Sequence, residues 1–378
     1  MRLYIAGGCG EHGRNCFHIK DKRIDFLVDC GLMAGEPGGG YPYLEKAEIR
    51  SLRAVFLTHS HADHTGAIPW LYEQGFDGAV AASRFVLEQL PFAVKNAVVL
   101  EEVCPDGDGE YLGMKISWGH SGHCVGSVWY RFEMKGETKK ESEGAGSRSI
   151  FFSGDYIENT QVYDVQPIRS CQADLAILDC AYGKDRRDYE SCCFKLIRRT
   201  SELLAKYKIL FFPVPKYGRG LEILRMLQKA EFSGPYYGDE HFVGELKKLQ
   251  KAQIDKEETC SWYKENENFA EDPLPEVTPY MGEETQGIIF LSNPQLRTEN
   301  TREIAKDVIG RGGYGIMTGT VELGTFSAAL LALGKMELVR YPVHQNLEQY
   351  EALIRANRFG QVIPYHTPDF DIAKTVEL

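Results

Sequence analysis

Residues 55–66 read Val55-Phe-Leu-Thr-His59-Ser-His61-Ala-Asp63-His64-Thr-Gly66 and carry the strongest chemical signal in the chain. The apolar start predicts a short buried strand, and three of the ten histidines and one carboxylate follow within six positions. Imidazole and carboxylate are the usual ligands of zinc and similar divalent ions. A polar helix start is the structural alternative, because a helical pattern begins at residue 67. The density of ligand-type side chains favours metal, with one ion on His59 and His61 and a second on Asp63 and His64.

Three more ligand-type residues stand after strand-like runs, where they would supply the remaining ligands of two ions. His123 could complete the first site, Asp155 could bridge both ions, and His366 could complete the second. Each of them alone has an ordinary explanation as a capping carboxylate or a core histidine. His120 competes with His123, but only His123 has the small turn Gly126-Ser127 at the expected distance. Together with the first cluster, these residues predict a centre for two ions.

Short apolar runs alternate with helical periodicity along the chain. The runs predict buried strands at residues 55–57, 150–152, 175–178, 209–212, 288–291 and 362–363. Helical spacing of apolar residues predicts helices at residues 189–207, 220–230 and 347–357. This alternation predicts an α/β architecture, in which reactive groups gather beyond the carboxyl ends of the strands. The polar, glycine-rich residues 135–149 predict a long exposed loop.

The size and composition of the chain are those of a globular protein. Its 378 residues, 43% of them hydrophobic, can bury a substantial core. The first residues lack the apolar region of a signal peptide, and no apolar run approaches the roughly 18 to 20 residues that span a bilayer. Ten scattered cysteines without a Cys-x-x-Cys pair indicate reduced thiols without a chemical role. We therefore expect a cytoplasmic protein.

The net charge of −11 counts against a nucleic-acid partner, because phosphate binding depends on basic surface. The charge is unevenly distributed. Residues 255–285 contain ten acidic residues and two lysines, so this one stretch carries most of the negative balance. Its richness in Glu, Asn and Pro predicts a solvated loop or insert. The rest of the chain is therefore compatible with a nucleic-acid substrate.

The order of the motifs in the first half of the chain resembles the metallo-β-lactamase fold. Asp29, in Leu27-Val-Asp29-Cys-Gly31, precedes the histidine cluster, and His123 and Asp155 follow it. The resemblance implies that Asp29 supports a liganding histidine.

The second half resembles the β-CASP branch of metallo-β-lactamase-fold nucleases, which includes RNase J and the endonuclease subunit of the pre-mRNA cleavage machinery. Asp179, followed shortly by Tyr-Gly, is similar to the first signature of that branch. His344 and His366 are similar to its second and third signatures. Residues 217–224 and 317–325 resemble segments of its inserted domain. The resemblance thus covers nearly the whole chain.

The resemblance implies an αββα metallo-β-lactamase sandwich with an inserted β-CASP α/β domain at residues 182–331, between parts of the first domain at 1–181 and 332–378. The implied activity is hydrolysis of single-stranded RNA in a cleft between the domains. Two divalent ions about 3.5 to 4 Å apart would activate the water, with zinc expected and manganese or iron as alternatives. Asn346 and the Thr-Pro-Asp after His366 depart from the family's common residues, which affects substrate preference more than metal binding.

The same resemblance implies catalytic roles for three residues. His344 is the candidate for protonating the leaving oxygen, and Asp179 would accept its other N–H and fix its tautomer. A structural hydrogen bond is the alternative explanation of this pair. Asp63 counts both as a metal ligand and as part of the catalytic set.

Four residues are candidates for contacts with phosphate oxygens: Ser127, Lys216, Arg219 and Thr325. A helix start or a glycine turn explains the same residues. A basic run that opens the insert could guide a nucleic-acid strand, although such a run is usually a solvated helix face; it comprises Lys184, Arg186, Arg187, Lys195, Arg198 and Arg199.

Other functions remain open on this fold. A small-molecule hydrolase, such as a lactonase or thioesterase, fits the acidic balance and the sparse basic surface. A DNA nuclease fits the same residues, because a contact to a 2′-hydroxyl has no sequence signature. A non-catalytic scaffold is disfavoured by the complete set of ligands. A homodimer is compatible with the sequence, which does not indicate the oligomeric state.

Overall fold

The structure is a computed structural model that describes residues 1–33, 35–36, 38–134, 147–232, 234–259, 273–370 and 372–378, with side chains of residues 251–259 left out. Most of the loop predicted at residues 135–149 lies outside the described residues. The same holds for the centre of the acidic stretch 255–285.

The described residues form 19 strands and 11 helices. The strands are β1 Arg2–Gly7, β2 Cys16–Lys20, β3 Asp25–Val28, β4 Ala54–Phe56, β5 Ala79–Ala82, β6 Ala97–Val99, β7 Asp108–Tyr111, β8 Met114–His120, β9 Val128–Met134, β10 Arg148–Phe152, β11 Gln172–Asp179, β12 Ile209–Pro213, β13 Tyr236–Gly238, β14 Val277–Pro279, β15 Gly287–Leu291, β16 Tyr314–Met317, β17 Met336–Leu338, β18 Arg358–Tyr365 and β19 Thr375–Glu377. The helices are α1 Lys46–Ser51, α2 Ala62–Thr65, α3 Ile68–Gln74, α4 Arg84–Gln89, α5 Leu100–Val103, α6 Tyr189–Tyr207, α7 Arg219–Lys229, α8 Glu240–Thr259, α9 Glu299–Gly310, α10 Phe326–Ala332 and α11 Leu347–Arg355.

The chain divides into two compact units. Unit 1 comprises Met1–Glu158, Asp164–Arg186 and His344–Leu378, and unit 2 comprises Asn159–Tyr163 and Arg187–Val343. Identification of residues 182–331 as an inserted β-CASP domain stays a prediction at this point.

Unit 1 contains two sheets. The first has the order β19-β1-β2-β3-β4-β5-β6, and the second has the order β18-β11-β10-β9-β8-β7. In the first sheet β3 to β6 run parallel, and in the second β10, β11 and β18 run parallel. Carboxyl ends of parallel neighbours meet at one edge of a sheet, so residues that follow these strands come close together.

The two sheets of unit 1 pack on each other through large apolar side chains, and helices cover their outer faces. The shared core includes Phe26 and Phe56 from the first sheet and Phe132 and Phe152 from the second. Residues of α1 and α3 pack on the outer face of the first sheet, and residues of α11 pack on that of the second. The result is a four-layered arrangement of helix, sheet, sheet and helix.

Unit 2 is built on one parallel sheet with the order β14-β13-β15-β12-β16-β17. Its central strands β12 and β15 are buried along their whole length, which matches their continuous apolar sequence. Glu222 on α7 is also buried and accepts hydrogen bonds from the backbone N–H groups of Gln161 and Val162 and from the Tyr341 hydroxyl. This carboxylate therefore anchors Asn159–Tyr163 within unit 2.

The six predicted strands and three predicted helices are all present, and the predicted α/β architecture is confirmed. The predicted helix at residues 189–207 coincides with α6. No helix in the described parts of the chain is long and apolar enough to cross a membrane.

Candidate metal centre

The carboxyl ends of strands in both sheets of unit 1 deliver the candidate ligands. In the second sheet, Asp155 follows β10, Asp179 ends β11 and His366 follows β18, and these three strands are parallel neighbours. In the first sheet, His59 follows β4, and the short helix α2 begins after His61. The polar residues are placed here because the strands end at this edge.

One group of ligand atoms joins three histidines and one carboxylate. His61 Nδ1 lies 3.1 Å from His59 Nε2 and 3.2 Å from His123 Nε2. Asp155 Oδ2 lies 3.6 Å from the Nε2 atoms of both His59 and His123. Four donors held tetrahedrally at zinc-ligand bond lengths would be about 3.4 Å apart. These distances therefore fit a single ion surrounded by the group.

A second group joins Asp63, His64 and His366. His366 Nε2 lies 3.1 Å from Asp63 Oδ2, and His64 Nε2 lies 3.8 Å from the same oxygen. Asp155 Oδ1 lies 3.3 Å from His64 Nε2 and 3.3 Å from His366 Nδ1. The two oxygens of Asp155 thus face different groups: Oδ2 faces the first and Oδ1 faces the second.

His366 provides a test of whether the second group fits an ion. Both of its ring nitrogens are buried, and neither has a hydrogen-bond partner of acceptable geometry among the described residues. A buried polar atom without such a partner is costly unless another ligand satisfies it. The donor set and this unsatisfied ring are what a divalent ion would require.

The two central carboxylates remain ionised despite their burial. Burial alone would raise the pKa of Asp155, but His64 and His366 beside it hold that pKa well below its usual range. Burial likewise opposes ionisation of Asp63, and the same two histidines hold its pKa well below the ordinary value. The centre therefore presents negative charge to a cation.

The histidines of the centre differ in the direction in which their surroundings shift the pKa. Burial lowers the pKa of His59 well below its ordinary value, and His64 nearby lowers it further, so the His59 ring is neutral. Burial also disfavours the charged form of His64 and His366. Asp155 overcomes that effect and raises the pKa of His64 well above its ordinary value and the pKa of His366 to about 10. In the metal-free protein, protons on these two rings balance the carboxylates.

Asp29 contacts the ring nitrogen Nδ1 of His64, a member of the second group. Its carboxylate accepts hydrogen bonds from the Thr58 N–H and Thr58 hydroxyl, each at 2.8 Å, and lies 2.7 Å from His64 Nδ1. Asp29 adopts a left-handed backbone conformation with φ of 59°. Because Nδ1 of His64 faces this carboxylate, Nε2 is the atom that points into the centre.

His344 and Asp179 lie beside these ligands and form, with Asp155 and His366, a third group whose ligand atoms are close enough to hold an ion. His344 Nδ1 is 2.8 Å from Asp179 Oδ2, and Asp179 is fully buried. The same oxygen accepts a hydrogen bond from the Tyr156 N–H at 3.0 Å, which fixes the carboxylate. The His344 ring centroid lies 4.7 Å from that of His123. A histidine in a defined orientation therefore adjoins the centre.

The structure places the four candidate phosphate contacts in local turns and helix starts. The buried Ser127 hydroxyl accepts hydrogen bonds from the Cys124 N–H and the Ser121 hydroxyl. Thr325 caps α10 through the Ala328 N–H, and Arg219 begins α7. Lys216 is exposed, with its Nζ 5.3 Å from the centre of the Tyr217 ring.

The basic run is largely engaged in surface ion pairs. Arg186 bonds to Glu351 at 3.0 Å, and Arg199 bonds to Glu202 at 2.7 Å. His120, the competitor of His123, belongs to none of the ligand groups that the described residues form.

Two residues at the centre were missed in the sequence. His12 stacks on His366 with ring centroids 4.2 Å apart, and Asn15 Nδ2 lies 2.9 Å from His64 Nε2. The only signal for them is the glycine-rich turn after the first strand, Gly7-Gly-Cys-Gly10, which permits a close approach of backbone segments.

The chain is similar in sequence to known proteins. Residues 9–130 match the Metallo-beta-lactamase superfamily. The chain is 25% identical over 270 residues to the transcription termination factor FttA of Methanosarcina mazei, covering 61% of this chain and 39% of that protein. It is 23% identical to the probable RNase MJ4 of Methanocaldococcus jannaschii, covering 67% and 65%. The endoribonuclease YSH1 of Candida albicans is 23% identical, covering 61% and 29%.

The fold is shared with a solved structure over nearly the whole chain. A protein of unknown function from Enterococcus faecalis V583 superimposes with a TM-score of 0.57 at 12% identity, covering 97% of this chain and 94% of that one. These findings confirm the resemblance to the β-CASP branch of metallo-β-lactamase-fold nucleases, and the fold with its His/Asp cluster supports binding of divalent metal ions. The chain spans 39% to 50% of the length of the FttA proteins that it matches.

Proposed function

We propose that this chain is a metal-dependent ribonuclease that hydrolyses phosphodiester bonds of single-stranded RNA with two divalent ions. The observation that carries the proposal is the placement of Asp155. One of its oxygens faces His59 and His123, and the other faces His64 and His366. A carboxylate shared in this way is suited to hold two ions side by side.

Two ions held together lower the pKa of a water and offset charge on the phosphoryl oxygens, which suits phosphodiester hydrolysis. The residues of the chain hold the ions and exclude bulk water. In this proposal His59, His61, His123 and Asp155 hold one ion, and Asp63, His64, His366 and Asp155 hold the other. Asp29 keeps His64 in the orientation that points Nε2 inward.

His344 is proposed as the group that protonates the leaving oxygen. Its Nδ1 faces the buried Asp179 carboxylate, so the ring is oriented and its Nε2 is the atom left for proton transfer. The pair contains none of the seven residues that are proposed to hold the ions.

Zinc is the proposed metal. Five of the seven proposed ligands are histidines, and imidazole suits zinc. Manganese and iron are alternatives that the same donors could bind. RNA is the proposed substrate because two similar proteins carry the names RNase and endoribonuclease. Unit 2 is proposed to be the inserted β-CASP domain, and Lys216 and Arg219 in it are proposed to contact phosphates.

The test measures metal content together with cleavage of end-labelled single-stranded RNA, single-stranded DNA and a generic ester. The wild type is compared with Asp63→Ala and with Asp106→Ala, a control at an exposed aspartate. We expect two ions per chain and RNA cleavage in the wild type and the control, and loss of both cleavage and one ion in Asp63→Ala.

Two other outcomes would contradict the proposal in distinct ways. Turnover of the ester with both nucleic acids intact would identify a small-molecule hydrolase. Cleavage of DNA in preference to RNA would retain the metal chemistry and replace the substrate.

A further inference from the structure

The loop of residues 8–15, which connects β1 to β2 and is called the β1–β2 loop below, contacts one half of the metal centre. Its sequence is Gly8-Cys-Gly-Glu-His-Gly-Arg-Asn15. None of its residues was among the predicted ligands. The structure nevertheless brings this N-terminal loop to His366, which lies near the other end of the chain.

The first contact fixes the backbone of His366. The His366 N–H donates to the Gly8 carbonyl at 2.6 Å, and His12 Nδ1 lies 2.8 Å from the His366 carbonyl. His366 has a φ of 67°, a left-handed conformation that is unfavourable for a non-glycine residue and persists where surrounding contacts enforce it. The loop supplies contacts to both polar groups of this strained residue.

The second contact fixes the ring of His366. The His12 ring stacks on it at a centroid distance of 4.2 Å and an angle of 21°. His12 is exposed and belongs to none of the apolar core clusters of the described residues. Its contacts serve the orientation of His366.

The third contact reaches the other two members of the same group. The Asn15 N–H donates to the Asp63 carbonyl at 2.8 Å, and the Asn15 amide lies 2.9 Å from His64 Nε2. Asn15 is fully buried, and its Oδ1 has no hydrogen-bond partner among the described residues. The loop is internally braced, because Glu11 accepts hydrogen bonds from the Gly8 N–H and from Arg14.

We propose that the β1–β2 loop is the positioning element of the second ion site: His12 sets the orientation of His366, the backbone N–H of Asn15 holds the backbone of Asp63, and the site of His59, His61 and His123 is independent of the loop. This inference rests on the proposed two-ion function. The inference adds that the β1–β2 loop controls the affinity for one of the two ions. His12 and Asn15 are positioning residues in this scheme.

The test titrates metal-free protein with Zn²⁺ in competition with a chromophoric chelator and with Co²⁺ followed by its absorption spectrum. The proteins are the wild type, His12→Ala, His12→Phe, Asn15→Ala and the control His241→Ala, a change at an exposed histidine of α8. Loss of a residue that orients a metal ligand typically weakens binding about 10- to 100-fold. We expect that loss for one ion in His12→Ala, wild-type affinity for the other ion, and a smaller loss in His12→Phe, which keeps the ring stack.

The outcomes separate this inference from the proposed function. Wild-type binding of both ions by His12→Ala would overturn the inference alone, as would equal weakening of both ions. Two ions in the wild type without RNA cleavage would overturn the ribonuclease proposal and leave the inference intact. A wild type that binds no ion would overturn both. Asn15→Ala keeps the backbone N–H that contacts Asp63 and should therefore retain the second ion. His12→Ala, a change at an exposed side chain, gives the decision, and thermal unfolding curves check that each variant is folded.

Discussion

At the scale of single residues, the proposed function assigns proton transfer to His344 and Asp179 and metal binding to other residues. His344 Nδ1 lies 2.8 Å from Asp179 Oδ2 and 3.9 Å from Asp155 Oδ2, so its nearest carboxylate is outside the two proposed ion sites. Its ring lies beside those of His123 and His366. A change at this position should therefore act on turnover without removing the ions.

His344→Ala should retain both ions and lose about 10²- to 10⁴-fold in RNA cleavage, which is the usual contribution of a general acid. Asp179→Asn should lose activity as well, because the amide no longer selects the tautomer of His344. Metal analysis and single-turnover cleavage measure the two effects. Loss of metal in His344→Ala would show that this histidine is a ligand and that the acid assignment is wrong.

Metal binding should release protons. The pKa of His64 is raised well above its ordinary value and that of His366 to about 10, so both rings are protonated at neutral pH in the metal-free protein. A metal ion needs the neutral ring, so binding displaces these protons and the apparent affinity rises with pH until about 10. Calorimetric titration at pH 7 in two buffers of different ionisation heat measures the release. Equal heats in both buffers would contradict it.

The candidate ligands and the supporting Asp29 were predicted from the sequence, whereas the contacts of His12 and Asn15 were not. Histidine and carboxylate side chains within six positions form a signal that survives in the sequence alone. The stack of His12 on His366 joins residues from opposite ends of the chain, and no local pattern encodes that contact. The chemistry of ligands is therefore visible in a sequence, and the contacts that orient them arise only from tertiary packing.

At the scale of elements, the start of α11 lies close to His344 in the chain, because the helix begins at Leu347. Asn346 caps the helix by accepting a hydrogen bond from the Gln349 N–H, and the Gln349 side chain accepts one from the Asn346 N–H. The family's common aspartate at this position would make the same cap. The departure from the family thus leaves the helix start intact.

Asn346→Ala should lower the free energy of unfolding by about 1 kcal/mol, the typical cost of losing an N-cap. Asn346→Asp should match the wild type. Denaturant unfolding followed by circular dichroism measures both, with Glu348→Ala, an exposed change in the same helix, as the control. An unchanged midpoint in Asn346→Ala would mean that the cap contributes nothing to stability.

Helices and buried strands of this chain were predictable because their periodicity is local. The helical spacing of apolar residues predicts the full length of α6, and the continuous apolar runs predict β12 and β15. The antiparallel strands β1, β2, β7 and β8 were not predicted. Their positions depend on pairing with distant strands, which a short run does not reveal.

At the scale of the whole molecule, the apolar cores of unit 1 are built from side chains other than the candidate ligands. The core between the two sheets of unit 1 consists of side chains such as Phe56, Phe132 and Phe152, and each outer face has its own cluster. In the metal-free protein, the raised pKa values of His64 and His366 keep the buried carboxylates compensated. We therefore expect the fold to persist without the ions.

Chelation should abolish RNA cleavage and leave the far-ultraviolet circular dichroism at 25 °C unchanged. The melting temperature should fall, because ions that bind only the folded state stabilise it. Spectra and melting curves before and after treatment with a chelator, followed by restoration with Zn²⁺, measure these effects. Unfolding at 25 °C on chelation would show that the ions are structural.

The pairing of β11 with β18 has a consequence for biosynthesis. Asp179 pairs with Tyr365, so the sheet edge that carries Asp155 and Asp179 gains its last parallel neighbour, and its last ligand, only after the whole of unit 2 has been translated. A nascent chain on the ribosome thus holds an incomplete set of ligands until His366 has been translated. The proposed cleavage of RNA would therefore begin only after the ribosome has passed the codon of His366.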